Sequence, residues 1–201
     1  MASLFDNRYR YDTIYPRGRS GETLRAYDTQ AEDRPVVIKR PAPQDAPPWR
    51  AAQEISILNE KRALERLSGH PVLTELRGSA PSARWPFLHL HCDGPRPGEI
   101  IGEWVLALAP QNNRLPELET LLLVDRLLDL LNLAHEQQVV YNDVDAKHLF
   151  WDRDAYRLKL IDWGNAVFLD DPAHPANITP ATDVYQVGEL LYFLYQGGTA
   201  G

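Results

Sequence analysis

The first third of the chain consists of short segments of β character separated by turn-forming residues. These segments are Tyr9–Tyr15, Thr23–Tyr27 and Val36–Arg40, and together they predict a twisted antiparallel meander. The proline-rich stretch Pro41–Pro48 cannot continue a strand. Apolar residues then recur at helical spacing over Trp49–Leu67. The pattern therefore predicts three strands followed by one helix.

The middle of the chain contains three further segments that favour strands. They lie at Leu73–Leu76, Phe87–His91 and Glu99–Val105, and we expect them to complete the same sheet. Prolines between these segments interrupt the pattern, so the sequence leaves the strand limits open.

The second half of the chain changes to helical character. Leu115–Glu136 is apolar almost all round, which is typical of a helix buried inside a lobe. Two short apolar runs, Leu149–Trp151 and Leu158–Ile161, are joined by Asp152–Tyr156 and predict a hairpin. A last helix is predicted from about Asp183 to Tyr195. A β-rich part followed by a helical part predicts an α+β protein with two lobes.

Composition narrows the classes of function. The chain has 201 residues, 44% of them apolar, which is enough for a packed core, and its net charge of -7 argues against a nucleic-acid partner. The one cysteine, Cys92, excludes an internal disulfide and favours a reducing cytoplasm. No N-terminal segment has the pattern of a signal peptide, and the most apolar run, Leu121–Leu133, is broken by Asp125, Arg126 and Asp129. We therefore expect a soluble cytoplasmic protein without a membrane partner.

Two acids carry the most informative chemistry in the sequence. Asp143 and Asp162 stand at the ends of short apolar runs and are separated by the predicted hairpin. An acid held beside an apolar strand is costly unless a metal, a phosphate-bound cation or a proton-accepting role uses it. The pair therefore predicts a shared metal and phosphate site.

The residues around these acids resemble the catalytic motifs of protein kinases. Tyr141–Trp151 is similar to the catalytic loop H-R-D-L-x-x-x-x-N, with Asp143 at the catalytic Asp and His148 at the Asn, and Asp162–Gly164 is similar to D-F-G. Three more motifs occur in kinase order: they are Val36–Lys39 for V-A-I-K, Asn59–Arg62 within the helix whose Glu pairs with that Lys, and Thr182–Gly188 at the opening of the large C-lobe helix. This resemblance implies a bilobal protein-kinase-like fold, with the N-lobe over residues 1–105 and a shortened, mainly helical C-lobe over residues 106–201.

The resemblance also implies roles for individual residues. Asp143 would be the catalytic base, and Asp162 would bind Mg²⁺. Lys39 would contact the α- and β-phosphates of ATP while paired with Glu60, and Glu54 is the rival candidate for that partner. The cofactors implied are therefore ATP and Mg²⁺.

Two weaker motifs complete the expected nucleotide site. Gly18 and Gly21 match the second and third glycines of G-x-G-x-x-G, whereas Pro16 occupies the first position. A plain hairpin turn explains this loop equally well. Main-chain groups of Glu103 and Val105 would contact adenine in the segment that resembles the kinase hinge.

Several positions depart from the family pattern. His148 replaces the second magnesium-binding Asn, and an imidazole can bind a metal although Mg²⁺ prefers oxygen. Asp145 replaces a Lys, with Lys147 two residues on as a candidate to compensate, and Asn142 replaces the Arg of H-R-D. The segment of residues 165–182 lacks an A-P-E triplet. These departures weaken the expectation of activity more than that of the fold.

The sequence leaves three functional hypotheses open. The first is an ATP- and Mg²⁺-dependent phosphotransferase acting on a hydroxyl acceptor, with Ser/Thr proteins favoured by the resemblance. The second is a pseudokinase that binds nucleotide or a regulatory protein partner without catalysis. The third is a kinase of small molecules, because a missing peptide platform hampers protein substrates most.

Overall fold

The computed structural model describes residues 3–15, 19–69, 76–81, 86–91, 99–100 and 115–196. Within them the chain forms an α+β protein with three helices. The elements, in chain order, are β1 (Ser3–Phe5), β2 (Tyr9–Ile14), β3 (Glu22–Asp28), β4 (Arg34–Arg40), α1 (Pro47–Arg66), β5 (Leu76–Pro81), β6 (Pro86–His91), β7 (Glu99–Ile100), α2 (Glu117–Glu136), β8 (Val139–Val140), β9 (Leu149–Asp152), β10 (Arg157–Leu160), β11 (Val167–Phe168) and α3 (Pro180–Gln196).

The chain separates into two compact units. The first contains Met1–Gly69 and Thr74–Arg96, and the second contains His70–Leu73 and Pro97–Gly201. The lobe boundary predicted between residues 105 and 106 lies outside the described residues.

The first unit is built on a six-stranded antiparallel sheet with the order β1-β2-β3-β4-β6-β5. The side chains of β3 alternate between buried and less buried positions, as expected of strand geometry. One face of the sheet forms a hydrophobic cluster whose buried members are Tyr9, Leu24, Ala26, Val36 and Ile38. Helix α1 packs against β4, β5 and β6. It begins at Pro47, because the first helical position needs no main-chain donor.

The second unit contains α2, α3 and two small sheets, with strand orders β10-β9-β7 and β11-β8. Helix α2 is lined by apolar side chains and packs against α3, β8 and β10. Within the described residues, no helix combines the length and the apolar character that a membrane span requires.

The structure confirms the predicted meander, the first helix and the hairpin, and it corrects several limits. Strand β1 precedes the meander and was missed. Of the strand expected at Leu73–Leu76, only Leu76 belongs to the described residues, where it begins β5 (Leu76–Pro81). The segment expected at Glu99–Val105 is described only over Glu99–Ile100, and this strand pairs with β9 of the second unit rather than with the first sheet. Apolar patterning was a poor guide here because it indicates a strand without indicating its partner.

Two corrections concern the second unit. Helix α3 begins at Pro180, three residues before the expected start, since proline suits the first turn of a helix. The two-residue strands β8 and β11 were not predicted, because two residues carry no periodicity.

Candidate functional site

A buried ion pair joins β4 to α1 in the first unit. Nζ of Lys39 donates to both carboxylate oxygens of Glu60 at 2.8 Å. Both residues are buried, with 8% of Lys39 and 3% of Glu60 exposed. A lysine that follows an apolar strand is usually a solvated charge, whereas this one is desolvated and paired.

Strand and helix periodicity explain why these two residues meet. Val36 and Ile38 belong to the hydrophobic cluster on one face of β4, so Lys39 points to the other face. On α1 the buried positions Gln53, Ile57 and Glu60 recur at helical spacing. The rival candidate Glu54 lies off that face and is only half-buried. The structure therefore pairs Lys39 with Glu60.

Gly21 has a structural reason of its own to be glycine. Its φ is +110°, and a Cβ at this position would lie 2.3 Å from the carbonyl oxygen of Arg40. This contact requires glycine at position 21 whether or not the loop binds phosphate. Pro16 and Gly18, together with the proposed adenine contacts Glu103 and Val105, lie outside the described residues.

The β9–β10 hairpin brings the two halves of the predicted acidic site together. Leu149 pairs with Leu160, so His148 and Ile161 stand opposite each other just beyond the ladder. The Ile161 N–H donates to the His148 carbonyl at 3.1 Å and continues this register. Asp162 then turns away with a left-handed φ of 63°. Hairpin register therefore places His148 next to Asp162.

The imidazole of His148 lies between the two acids that the sequence singled out. Nδ1 is 3.6 Å from Oδ2 of Asp143, and Nε2 is 3.6 Å from Oδ2 of Asp162. Nδ1 also lies 3.2 Å from the Asp143 carbonyl oxygen. The ring is buried, whereas 29% of the Asp143 side chain and 24% of the Asp162 side chain are exposed. Two partly exposed carboxylates therefore flank one buried imidazole ring.

Asn165 orients the carboxylate of Asp143. Its Nδ2 donates to Oδ2 of Asp143 at 2.9 Å, and its carbonyl accepts from Nδ2 of Asn142 at 3.4 Å. Sequence reasoning missed this residue because nothing in its local pattern separates it from an ordinary loop amide.

Asp183 holds the main chain of the loop that carries Asp143. It is fully buried, and its carboxylate accepts the N–H groups of Tyr141 at 2.9 Å and Asn142 at 2.7 Å. Nε2 of His135 lies 2.8 Å from the same carboxylate. Gln186, one turn further along α3, accepts the Val144 N–H at 3.0 Å. Helix α3 thus fixes three main-chain donors around Asp143.

The sequence pattern placed Asp183 at the start of a helix but did not predict this anchoring role. A signal was present, because Asp183 shares its helical spacing with Val187, Leu190 and Leu194, all of them buried. An acid on the apolar face of a helix needs buried donors. His135 is one of the partners of this carboxylate.

Tyr141 and Trp163 pack against each other beside the site. The Tyr141 hydroxyl donates to the Ile161 carbonyl at 2.6 Å, and its ring meets Trp163 edge-to-face at 4.8 Å. Trp163, which takes the Phe position of D-F-G, is completely buried. Its Nε1 has no hydrogen-bond partner among the described residues.

Lys147 engages the acid that replaces the family lysine. The main-chain N–H of Lys147 donates to Oδ1 of Asp145 at 3.0 Å, and its Nζ contacts Oδ2. Burial raises the pKa of Asp145, but these hydrogen bonds outweigh burial and lower the pKa below its ordinary value of 3.8. The two opposite charges therefore compensate each other at the edge of the loop.

The donor chemistry of the site fits a divalent cation. Asp162 would supply a carboxylate and His148 an imidazole to such an ion. Among the described residues, no three His, Cys, Asp or Glu side chains are arranged to hold a metal by themselves.

Comparison with known proteins shows a distant similarity to a kinase. No protein-family model matches the chain. A probable serine/threonine-protein kinase of Dictyostelium discoideum is 26% identical over an alignment of 195 residues, and the match covers 92% of this chain. The chain spans 28% of the length of that relative. The similarity indicates a kinase-like protein.

Proposed function

We propose that this protein is an ATP- and Mg²⁺-dependent phosphotransferase that transfers the γ-phosphate to a hydroxyl acceptor. The observation that carries the proposal is a partly exposed acid, Asp143, on a loop whose main chain is fixed by the buried Asp183. Phosphoryl transfer depends on positioning and charge neutralisation more than on covalent chemistry. A rigid loop with reachable carboxylates meets that requirement.

Asp143 would act as the base for the acceptor hydroxyl. Within the described part of the chain, Asn165 and His148 contact the Oδ2 atom of this carboxylate. Oδ1 is then the oxygen that accepts the hydroxyl proton. A positioned base of this kind contributes about 10²–10⁴-fold to the rate.

The remaining roles divide between the phosphates and the metal. Asp162 would hold Mg²⁺, which, when bound, neutralises the charge that develops on the transferring phosphate. Lys39, oriented by Glu60, would contact the phosphates, and Gly18 and Gly21 would allow main-chain N–H groups to approach them. Glu103 and Val105 would contact adenine.

Ser/Thr proteins are the favoured acceptors, because the chain resembles protein kinases and its distant relative is named a probable serine/threonine-protein kinase. A small-molecule hydroxyl acceptor is the other possibility within the same activity.

One observation favours a second function. The buried ring of His148 stands where the family places an oxygen ligand, between the two acids. A pseudokinase that binds nucleotide and acts through a regulatory protein partner would tolerate this replacement, whereas two-magnesium catalysis would not.

The test measures transfer of radiolabelled γ-phosphate to a panel of hydroxyl-bearing proteins, peptides and small molecules. We expect Asp143→Asn and Asp162→Asn each to reduce transfer by about 10²-fold or more. Asp143→Asn should retain nucleotide binding in calorimetry, since this residue is not assigned to the nucleotide. Asp154→Asn, an exposed acid in the β9–β10 turn, is the matched control and should transfer like the wild type.

Three outcomes separate the hypotheses. Unchanged transfer in both Asp143→Asn and Asp162→Asn would rule out the assigned roles. Binding of ATP with Mg²⁺ in the absence of transfer to any acceptor would favour the pseudokinase. Transfer to small molecules alone would identify a metabolite kinase.

A further inference from the structure

The hydrogen bond at Nδ1 determines the tautomer of His148. Nδ1 lies 3.2 Å from the Asp143 main-chain carbonyl, and a carbonyl oxygen can only accept. Nδ1 therefore carries the proton. In the neutral ring this leaves Nε2 with its lone pair directed toward Asp162.

The same hydrogen bond is the usual support of a metal-binding histidine. Histidine ligands of metals almost always donate their second ring N–H to a carbonyl or a carboxylate, which fixes the ring and raises its basicity. His148 is only 6% exposed, so its ring is held by packing as well. The side chain is thus preorganised with Nε2 as the available donor atom.

The two donor atoms are close enough for one ion to bind both. Nε2 of His148 and Oδ2 of Asp162 are 3.6 Å apart, which is too long for a hydrogen bond. Adjacent ligands of a divalent ion, at bond lengths of about 2.1 Å, lie roughly 3.0 Å apart, so a small side-chain movement brings both atoms to one ion. The mixed nitrogen and oxygen donors, rather than their spacing, therefore decide which metal suits the site.

We propose that Nε2 of His148 and Oδ2 of Asp162 bind a divalent transition-metal ion together with nucleotide phosphates, and that this site prefers Mn²⁺ to Mg²⁺. Imidazole nitrogen favours transition metals, whereas Mg²⁺ favours oxygen, and Mn²⁺ accepts the phosphate oxygens as well. The inference rests on the proposed nucleotide-dependent function. It assigns to His148 the selectivity of the metal site.

The experiment measures metal binding directly on the full chain. Protein labelled with ¹⁵N-histidine is loaded with a nonhydrolysable ATP analogue and Mn²⁺, and pulsed electron paramagnetic resonance records the coupling of Mn²⁺ to ¹⁵N. Competition with Mg²⁺ then gives the ratio of the two affinities. We expect a directly bound ¹⁵N in the wild type and a ratio that falls at least tenfold in His148→Asn, which restores an oxygen ligand.

His174→Asn is the matched control. Nδ1 of His174 lies 2.7 Å from the Asp171 carbonyl, so this ring has the same backbone hydrogen bond, without a carboxylate ion pair among the described residues. It should keep both the ¹⁵N coupling and the wild-type affinity ratio. A wild-type spectrum without ¹⁵N coupling overturns the inference without any variant, and His148→Gln replaces His148→Asn should the latter misfold.

The outcomes distinguish this inference from the proposed function. Mn²⁺ that binds with nucleotide but shows no ¹⁵N coupling would overturn the role of His148, even where phosphate transfer is intact. Coupling without transfer would support the metal site in a pseudokinase. Failure to bind either nucleotide or Mn²⁺ would overturn both.

Discussion

Asp183 accepts the main-chain N–H of Asn142 at 2.7 Å and thereby fixes the residue that precedes the proposed base. Asn142 has a left-handed φ of 61°. Such a conformation persists where the surrounding structure holds it. The buried carboxylate on α3 is therefore a structural requirement of the loop.

Replacing Asp183 by Ala should destabilise the protein strongly. Two main-chain donors, those of Tyr141 and Asn142, would lose their charged acceptor, at a cost of about 1–3 kcal/mol for each buried unsatisfied group. Urea unfolding should show a loss of roughly 3 kcal/mol or more. Glu189→Gln, at an exposed position of the same helix, is the control and should change stability by less than about 0.5 kcal/mol. A small effect of Asp183→Ala would show that water replaces the carboxylate.

Breaking the Lys39–Glu60 pair from one side should cost more stability than replacing both partners. Lys39→Met leaves the Glu60 carboxylate buried without its cation, which typically costs about 3–5 kcal/mol. The double variant Lys39→Met with Glu60→Leu should recover much of this loss in chemical denaturation. Additive single effects would contradict the prediction.

The exposed pair Lys61–Glu65 on the same helix provides the comparison for that cycle. Its charges are 2.6 Å apart but accessible to solvent. Lys61→Met should therefore change the free energy of unfolding by no more than about 0.5 kcal/mol. A similar loss of stability in Lys39→Met and Lys61→Met would mean that burial is not what makes the Lys39–Glu60 pair sensitive.

Trp163→Phe should be tolerated better than Trp151→Phe. The Nε1 of Trp163 is buried without a described partner, so removing it relieves an unsatisfied donor, which offsets the smaller ring. Nε1 of Trp151 instead donates to Glu119 at 3.4 Å. Thermal unfolding of the two variants should rank Trp151→Phe as less stable. The reverse order would indicate an ordered water on Trp163.

Asp145 should make the stability of the wild type fall at acid pH. Its folded pKa lies below 3.8, so the unfolded chain binds the proton first as the pH is lowered. The stabilisation is fully present above pH 3.8 and is lost as the pH falls through the folded pKa. In measurements of Tm across this pH range, Asp145→Asn should not show the fall in Tm that protonation of Asp145 causes in the wild type. Parallel curves for the two proteins would exclude a contribution from the Lys147 contact.

Much of the fold followed from local pattern. Strands β2 to β4, helices α1 and α2 and the β9–β10 hairpin lie close to their predicted positions, because side-chain periodicity records which face of an element is buried. The acids Asp143 and Asp162 were also evident, because each interrupts an apolar context. Their catalytic and metal-binding roles stay predictions.

The partners of these residues depended on tertiary structure. Glu54 and Glu60 are both glutamates on α1. Only Glu60 lies on the buried face of the helix, where it pairs with Lys39. In the same way β7 joined the second unit, since no strand encodes its neighbour.

The sequence by itself determined the elements, the candidate acids and the resemblance to kinases. Tertiary structure decided that Asp183 holds the loop and that His148 lies between Asp143 and Asp162. The physical reason is the separation along the chain of the residues that interact. Periodicity is local, whereas the bond from Asp183 to Asn142 spans 41 residues and forms only when α3 packs beneath the loop.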